Sequence, residues 1–521
     1  MKYGKRLFAA VLIAACLAVS GCQPSVPVIS GECGAVPMTL PPPPMVYEPP
    51  IGDAGLEYDT TATLFLPRAD GVRLVSQQVK VTLPVGRHGA EEILKALLDY
   101  PGNMAVSPLS KSVQLQLAGS NPVEVSRDVA TVNLAASAHQ LEPKEFYTVC
   151  QAIANTLTEF SDIRYVNVLV AGAQVGLDVS SSLPMGTLQR RTGEDLDALW
   201  EQAEAQKAQL SEDASARRLS TTATLYFPAR MGTGILPEVR NISFEGQTPE
   251  QLVTGLLQEL SRGAEYLGNV PTLPDLTKLL DRAPVVSELS GVGGRKVILH
   301  FSPDLNEQLI ASDVTRSTCM ASLTYTLTTF LPGVVAVEMY IGSDPDPIPD
   351  VEPSSIYTRE TIAFQNGQQK RSDYGPLLLS YCRLYFAADN GKLTAVNRPV
   401  PYFEAQNPRY LLLQLNEGPR GYDTVAGLKG VFPPGLKDKD LLGIGLNDDT
   451  LLVHFSEAVR AASSSLSGSQ ERQMIYAIVN TLCENPVVSR IRFYVAGTQP
   501  ESLAGEIYLP GEFLPSPGLV N

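Results

Sequence analysis

Cys22 has the most specific chemistry of any residue in this sequence. It closes the run Val19-Ser20-Gly21-Cys22, a branched residue and two small ones ahead of a thiol. Small residues let a peptidase close on the backbone, and a thiol in that place can take a diacylglycerol. Lys2, Lys5 and Arg6 precede it, followed by the apolar run Leu7 to Val19. That run is shorter than the roughly 20 residues a spanning helix needs, and it suits the apolar part of an export signal. Residues 1–21 are therefore expected to be a lipoprotein signal peptide. Cys22 is expected to carry the lipid that holds the chain to the outer face of the cell membrane. A plain secretory signal, cut near the same place, is the alternative. Ile13-Ala14-Ala15-Cys16 also fits the pattern but leaves the apolar run too short.

Chemistry elsewhere is sparse. The four histidines are 88, 139, 300 and 454. None has the HExxH or similar spacing that puts two ligands on one helix face. His300 and His454 follow matching strand residues, where Asn133 stands in an earlier stretch, and read as half-exposed strand positions. The remaining cysteines, 33, 150, 319, 382 and 483, form no CxxC pair. Cys150 and Cys319 sit in apolar helical stretches and read as small buried hydrophobes. Cys382 and Cys483 are candidates for a pair, and the spacing does not decide it. Ser302 and Ser456 follow strands and read as helix N-caps rather than nucleophiles, because no base stands at a defined spacing from them. Asp448-Asp449 reads as a hairpin turn. Gly291-Val-Gly-Gly294 reads as a turn as well, because it precedes a strand and not a helix. The expectation is a chain with no catalytic residues, no cofactor and no metal, in which Cys22 alone has a chemical role.

The elements that position these residues repeat. Thr61-Ala-Thr-Leu-Phe-Leu-Pro67 recurs as Thr222-Ala-Thr-Leu-Tyr-Phe-Pro228 and, more weakly, as Cys382-Arg-Leu-Tyr-Phe386. Val132-Asn-Leu-Ala135 matches Leu299-His-Phe-Ser302 and Val453-His-Phe-Ser456. Ala152 to Leu157 matches Ser322 to Leu327 and Ala477 to Leu482, and each copy ends in a strand and a glycine. Three matches in the same order are the signature of tandem units. Each unit reads strand, strand, helix, strand, strand, helix, strand. In the first the strands fall near 61–66, 73–82, 112–118, 129–134 and 164–171, with helices near 89–100 and 144–159. Apolar residues at 146, 149, 150, 153, 154 and 157 give the second helix one buried face. Thr248-Pro249 and Asn407-Pro408 have the N-cap and first-turn chemistry of the first helix in the other two units.

The fold class expected is α/β: three tandem two-layer α/β domains, each a mixed sheet with helices on one face. They would span 60–181, 221–345 and 380–510. Residues 22–59 form a Pro-rich tether and 182–220 a charged helical connector that docks through Leu196, Leu199 and Trp200. A stiff acidic linker follows at 346–379, and a tail at 511–521. With 521 residues, several domains are required. The net charge of -15 argues against nucleic acid as a partner.

The units resemble the GerMN domain, the sporulation and spore germination family. The last is the clearest, through Asn416-Glu-Gly-Pro419, Phe432-Pro-Pro-Gly435, Asn480-Thr-Leu482 and Val495-Ala-Gly497. The first departs at Tyr100-Pro101-Gly102, and the second has Tyr325 where the helix Asn belongs. The resemblance implies a fold similar to the ring-building motif of secretion-type and sporulation channel rings. It also implies a membrane-anchored, non-catalytic scaffold or interaction lipoprotein acting in sporulation or germination. Its partners would be the membrane, through Cys22, and envelope or sporulation-complex proteins. A peptidoglycan-binding or small-ligand module of the envelope is the alternative. A shared family contact is expected on the last unit, taken to be farthest from the membrane.

Overall fold

Each repeated Thr-Ala-Thr-Leu stretch becomes the first strand of a long hairpin. The computed structural model describes residues 52–176, 183–211, 219–289, 293–353, 355–421, 423 and 427–521. Cys22, the signal segment and the Pro-rich stretch lie outside the described residues, as do Gly291 and Val292 of Gly291-Val-Gly-Gly294.

The first domain runs β1 (Glu57–Pro67), β2 (Leu74–Pro84), α1 (Ala90–Leu98), β3 (Val123–Ser126), β4 (Val129–Leu134), α2 (Pro143–Leu157), β5 (Tyr165–Val170) and β6 (Ala173–Gln174), and α3 (Leu196–Ser211) follows. The middle region repeats the order with β7 (Leu219–Pro228), β8 (Ile235–Phe244), α4 (Pro249–Ser261), β9 (Val285–Glu288), β10 (Arg295–Phe301), α5 (Leu305–Ala311), α6 (Arg316–Phe330) and β11 (Val334–Ile341). Short strands β12 (Asp350–Val351), β13 (Ile362–Ala363) and β14 (Gln368–Gln369) come next. The last region has β15 (Leu379–Ala387), β16 (Leu393–Pro401), α7 (Pro408–Glu417), β17 (Leu441–Asn447), β18 (Thr450–Phe455), α8 (Glu457–Ser463), α9 (Gly468–Leu482) and β19 (Arg490–Val495).

Local chemistry explains the boundaries. Thr248 Oγ1 accepts from Gln251 N at 3.3 Å and Gln251 Oε1 accepts from Thr248 N at 3.1 Å, a reciprocal cap at the start of α4. Asn407 Oδ1 accepts from Arg409 N at the start of α7, and Pro408 takes the first turn. Asp448, at φ 53°, turns β17 back into β18, as the Asp448-Asp449 pair predicts.

The α/β class and the tandem order hold, but the sheet in each region is divided. β1–β2, β7–β8 and β15–β16 are two-stranded sheets of their own. Each region also has a three-stranded unit, β3-β4-β5, β9-β10-β11 and β17-β18-β19, pairing antiparallel and then parallel, which β6 and β14 extend to four strands in the first two. The parallel step requires a crossover, and the second helix supplies it. That helix is packed by the hairpin and also by the three-stranded unit. It is therefore buried nearly all round, and not on the single face expected for residues 146–157. Every residue from Ser317 to Phe330 of α6 is buried. Cys150 and Cys319 are buried within these helices as expected, and Cys382 and Cys483 are free thiols.

The expected strand at 112–118 is broken. Ala118 N donates to Asn133 O and Ala135 N to Gln116 O, so this stretch does lie along the end of β4. Gly119 (φ 93°) and Pro122 then bend the chain, and the ladder resumes as β3. Proline lacks the N–H that a continuous ladder needs.

Three connecting segments do more than link. α3 docks on the first domain as expected: Leu196 and Leu199 are buried and the Trp200 ring meets Tyr147 at 5.8 Å. Residues 346–379 are folded, not a stiff spacer. Ile348, Val351, Phe364, Tyr374 and Leu377 enter the middle core, and β14 pairs with β11. The run of Asp and Pro at its start conceals the apolar residues that follow. The tail likewise packs back, with Phe513 bridging Ile491 and its ring 5.4 Å from Phe493.

The start of the described chain lies on the last region. Gly52 N donates to Leu442 O and Ala54 N to Ile444 O, which adds a short parallel strand to the edge of β17. Arg409 holds the Asp53 carboxylate through Nε at 2.9 Å and Nη2 at 2.8 Å. The last region is thus beside residues 52–54, where the first domain begins, and not the far end of a string.

Candidate functional site

The residues shared by the repeats have structural work to do. Thr156 Oγ1 accepts from Phe65 N at 2.9 Å and Thr326 Oγ1 from Tyr226 N at 3.0 Å. In both places a helix threonine satisfies a strand N–H inside the core. The neighbouring Asn155 Oδ1 accepts from Arg191 N at 2.8 Å, and Asn480 Oδ1 from Ser516 N at 2.9 Å. The Asn of the Asn-Thr-Leu motif thus clasps the segment that follows the last strand of its own domain.

The middle region has Tyr325 at that helix position, and Tyr325 faces outward to the first domain. Its hydroxyl is 3.4 Å from Glu124 Oε1. Arg371, from the folded linker, reaches Glu124 Oε2 through Nε at 2.8 Å and Nη2 at 2.6 Å. The same guanidinium lies 4.0 Å from the Tyr325 ring centroid and donates to the Tyr226 hydroxyl at 3.0 Å. Burial alone lowers the Arg371 pKa, but the Glu124 carboxylate beside it, with Tyr226 and Tyr325, holds it above the ordinary guanidinium value. A buried ion pair with further hydrogen bonds is costly to break from one side. Beside it Asn167 Nδ2 donates to Thr224 Oγ1 at 3.0 Å, and Thr187 Oγ1 lies 2.9 Å from Thr224 Oγ1. The first three-stranded unit is thereby locked onto the second hairpin.

A cleft of about 380 Å³ opens over this junction. The loop from Ala118 to Pro122 and Asn133 form one wall, and Gln368, Lys370, Arg371 and Ser372 form the other. Asn133 is committed: its Oδ1 accepts from Gly172 N and its Nδ2 donates to Ala118 O. The cleft offers an exposed ammonium, hydroxyls and an amide, which can bind a polar ligand but include no base poised on a nucleophile.

A second shared device appears only in the middle and last regions. Arg240 and Arg398 are buried on the second hairpin strands, over the Phe227 and Phe386 rings at 5.0 and 5.1 Å. Arg240 Nη2 donates to Gly263 O at 2.6 Å, and Arg398 Nη2 to Gly418 O at 2.8 Å. Both glycines have positive φ just past the first helix, where glycine is favoured. Val79 occupies the matching place in the first domain, which accounts for its departure at Tyr100-Pro101-Gly102.

The histidines divide. His300 is half-buried and stacks on Tyr340 at 4.4 Å, and His454 is fully buried and stacks on Tyr494 at 4.7 Å. The half-exposed expectation fails at His454, because β18 is buried on both faces. Burial holds the His454 ring neutral, with a pKa lowered to about 4. Ser456 does take the N-cap position of α8, but its hydroxyl donates to Asp440 at 2.8 Å. Ser302 lies before Asp304, which caps α5. Among the described residues no three His, Cys, Asp or Glu side chains gather as a metal site requires.

Sequence reasoning missed Glu124, Arg371, Arg240, Arg398 and Glu471. Glu471 is buried, and its carboxylate accepts from the backbone N–H groups of Leu503, Ala504, Glu506 and Ile507 at 2.8–3.1 Å. Burial pushes its pKa up, yet those donors outweigh burial and hold it below the usual value. Glu471 stands in the polar first turn Ser469-Gln-Glu-Arg-Gln473, where an acidic residue is ordinary, so nothing in the sequence marks it.

A family model described as sporulation and spore germination, Germane, matches residues 63–176 and 383–501. The tandem GerMN domains of the sporulation protein GerM from Bacillus subtilis match with 17% identity and a TM-score of 0.22, over 60% of this chain and 99% of that one. The first GerMN domain of the same protein matches with 18% identity and a TM-score of 0.18, over 26% of this chain and 97% of that one. No curated protein matches the chain.

Proposed function

Residues 63–176 and 383–501 are sporulation and spore germination domains, and from that premise we propose that the chain is a lipid-anchored, non-catalytic scaffold on the outer face of the membrane. The association of these domains with sporulation and germination directs the proposal to that process. The middle region, with the same order of elements, is taken as a third and diverged copy. The observation that carries the scaffold reading is the junction at Glu124, Arg371, Tyr226 and Tyr325. These charged and aromatic groups join one domain to the next, which favours a scaffold. The anchor rests on Cys22 and the apolar run before it. Metabolic labelling with a palmitate analogue tests it, and a Cys22→Ala chain that still takes the label would end it. Crosslinking in sporulating cells tests the scaffold, which fails if the chain captures no envelope protein.

The cleft of about 380 Å³ favours a second reading, a small-ligand module of the envelope. Lys370 is the group to alter. A ligand whose binding is unchanged by Lys370→Ala does not use this cleft.

A further inference from the structure

A second opening, of about 550 Å³, lies between residues 356–359 and the last region. It shares no residue with the cleft over the Glu124–Arg371 pair. Part of its lining is apolar and aromatic: Ile356, Tyr357, Phe403 and Tyr410. Phe403 and Ile356 are 42% and 46% exposed, unusual for side chains so apolar. Its rim is polar. Arg420 pairs with Glu417 at 2.7 Å, donates to Gln414 Oε1 at 3.0 Å and to the Tyr357 hydroxyl at 3.0 Å. Glu404 accepts from Asn407 through Oε2 only, and burial raises its pKa. Its Oε1 and the Tyr410 hydroxyl make no hydrogen bond among the described residues.

Charge decides the ligand class. Glu404 and Glu417 disfavour a polyanion, and Arg359 and Arg420 disfavour a polycation. With Arg420 already neutralised by Glu417, the site suits an uncharged or weakly charged molecule. A purely apolar ligand would cover the half-buried Arg420 and Glu404 and the buried Gln414 without offering them partners. What remains is a molecule with flat apolar faces and many hydroxyl or amide groups. The C–H faces of pyranose rings lie on aromatic rings, and their hydroxyls and acetamido groups meet carboxylate, amide and guanidinium. We propose that this groove binds an N-acetylated amino-sugar strand, the glycan chemistry of a cell wall.

The inference rests on the reading of the chain as an envelope protein on the outer face, and the two fail separately. Protease accessibility in intact cells judges the location. Calorimetric titration of the full chain judges the groove, with a chito-oligosaccharide as the probe. A glucose oligomer lacking acetamido groups and a proline-rich peptide serve as rivals. The expected result is saturable binding of the chito-oligosaccharide, weakened about tenfold by Phe403→Ala, the loss of one ring contact of roughly 1.4 kcal/mol. Tyr410→Phe, which removes only the hydroxyl, should weaken it severalfold. Phe403 is exposed, so an unchanged melting temperature will show that its variant is folded. Lys370→Ala in the other cleft should leave the titration as it was. No heat with the chito-oligosaccharide, equal binding in the Phe403→Ala chain, or preference for either rival overturns the proposal.

Discussion

The first and last domains keep Asn at the helix position before Thr-Leu, and the middle region has Tyr325. In the first two the side chain turns inward to the domain's own trailing segment. In the middle region it turns outward to Glu124 of a neighbour. One helix position can thus serve closure of a domain or adhesion between domains, according to which backbone lies across from it. The family model matches the two regions that close on themselves and not the one that spends this position on a junction.

This contrast can be broken at its strongest point. Glu124→Ala leaves the Arg371 guanidinium buried without its counter-ion, and a loss of about 3–5 kcal/mol is expected in denaturant unfolding. Trp200, the single tryptophan, lies on α3 in the first domain and reports on it by fluorescence. A loss under about 1 kcal/mol would mean that the junction is loose.

Glu471→Gln tests self-closure in the last domain. It removes the charge from a group that accepts four backbone N–H bonds, and about 2–3 kcal/mol should be lost at neutral pH. The folded-state pKa lies below the unfolded value. The stabilisation is therefore present above the unfolded pKa and lost as pH falls through the folded one. The Gln variant should show a shallower fall in melting temperature on the acid side.

The threonine after the variable position separates the domains further. Thr156→Val and Thr326→Val each leave a buried strand N–H unmet, at about 1–3 kcal/mol. The Thr481 hydroxyl is buried without a partner, so Thr481→Val should be neutral or stabilising. Equal losses at all three positions would mean that the three helices meet their hairpins alike. The smallest effect is expected at Asp53. Asp53→Asn weakens an exposed pair with Arg409 and should cost under about 1 kcal/mol. Faster amide exchange at Ala54 is the sharper readout, because a short edge strand opens locally.

The order of elements was legible because hairpin strands alternate and helix caps announce themselves, as at Thr248-Pro249 and Asn407-Pro408. Turn chemistry was legible at Asp448-Asp449, and docking of α3 from the stripe at Leu196, Leu199 and Trp200. The junction was not. Glu124 lies 247 residues from Arg371, and nothing local marks either as the partner of the other. The folded linker was hidden by its acidic, proline-rich start, whereas burial of β18 on both faces was readable from the unbroken apolar run Leu451-Leu452-Val453 before His454.

Sequence by itself determined the repeat, the α/β class and the family of the first and last domains, because periodicity, caps and turns act over a few residues. The proposal for Cys22 likewise rests on its neighbours in the chain and not on a fold. Tertiary structure alone decided that each hairpin stands apart from its sheet, that residues 52–54 pair with the last domain, and that Tyr325, Arg371 and Glu124 share one buried site. Such contacts depend on which surfaces meet once the apolar area is covered, and each residue's own segment is compatible with many meetings.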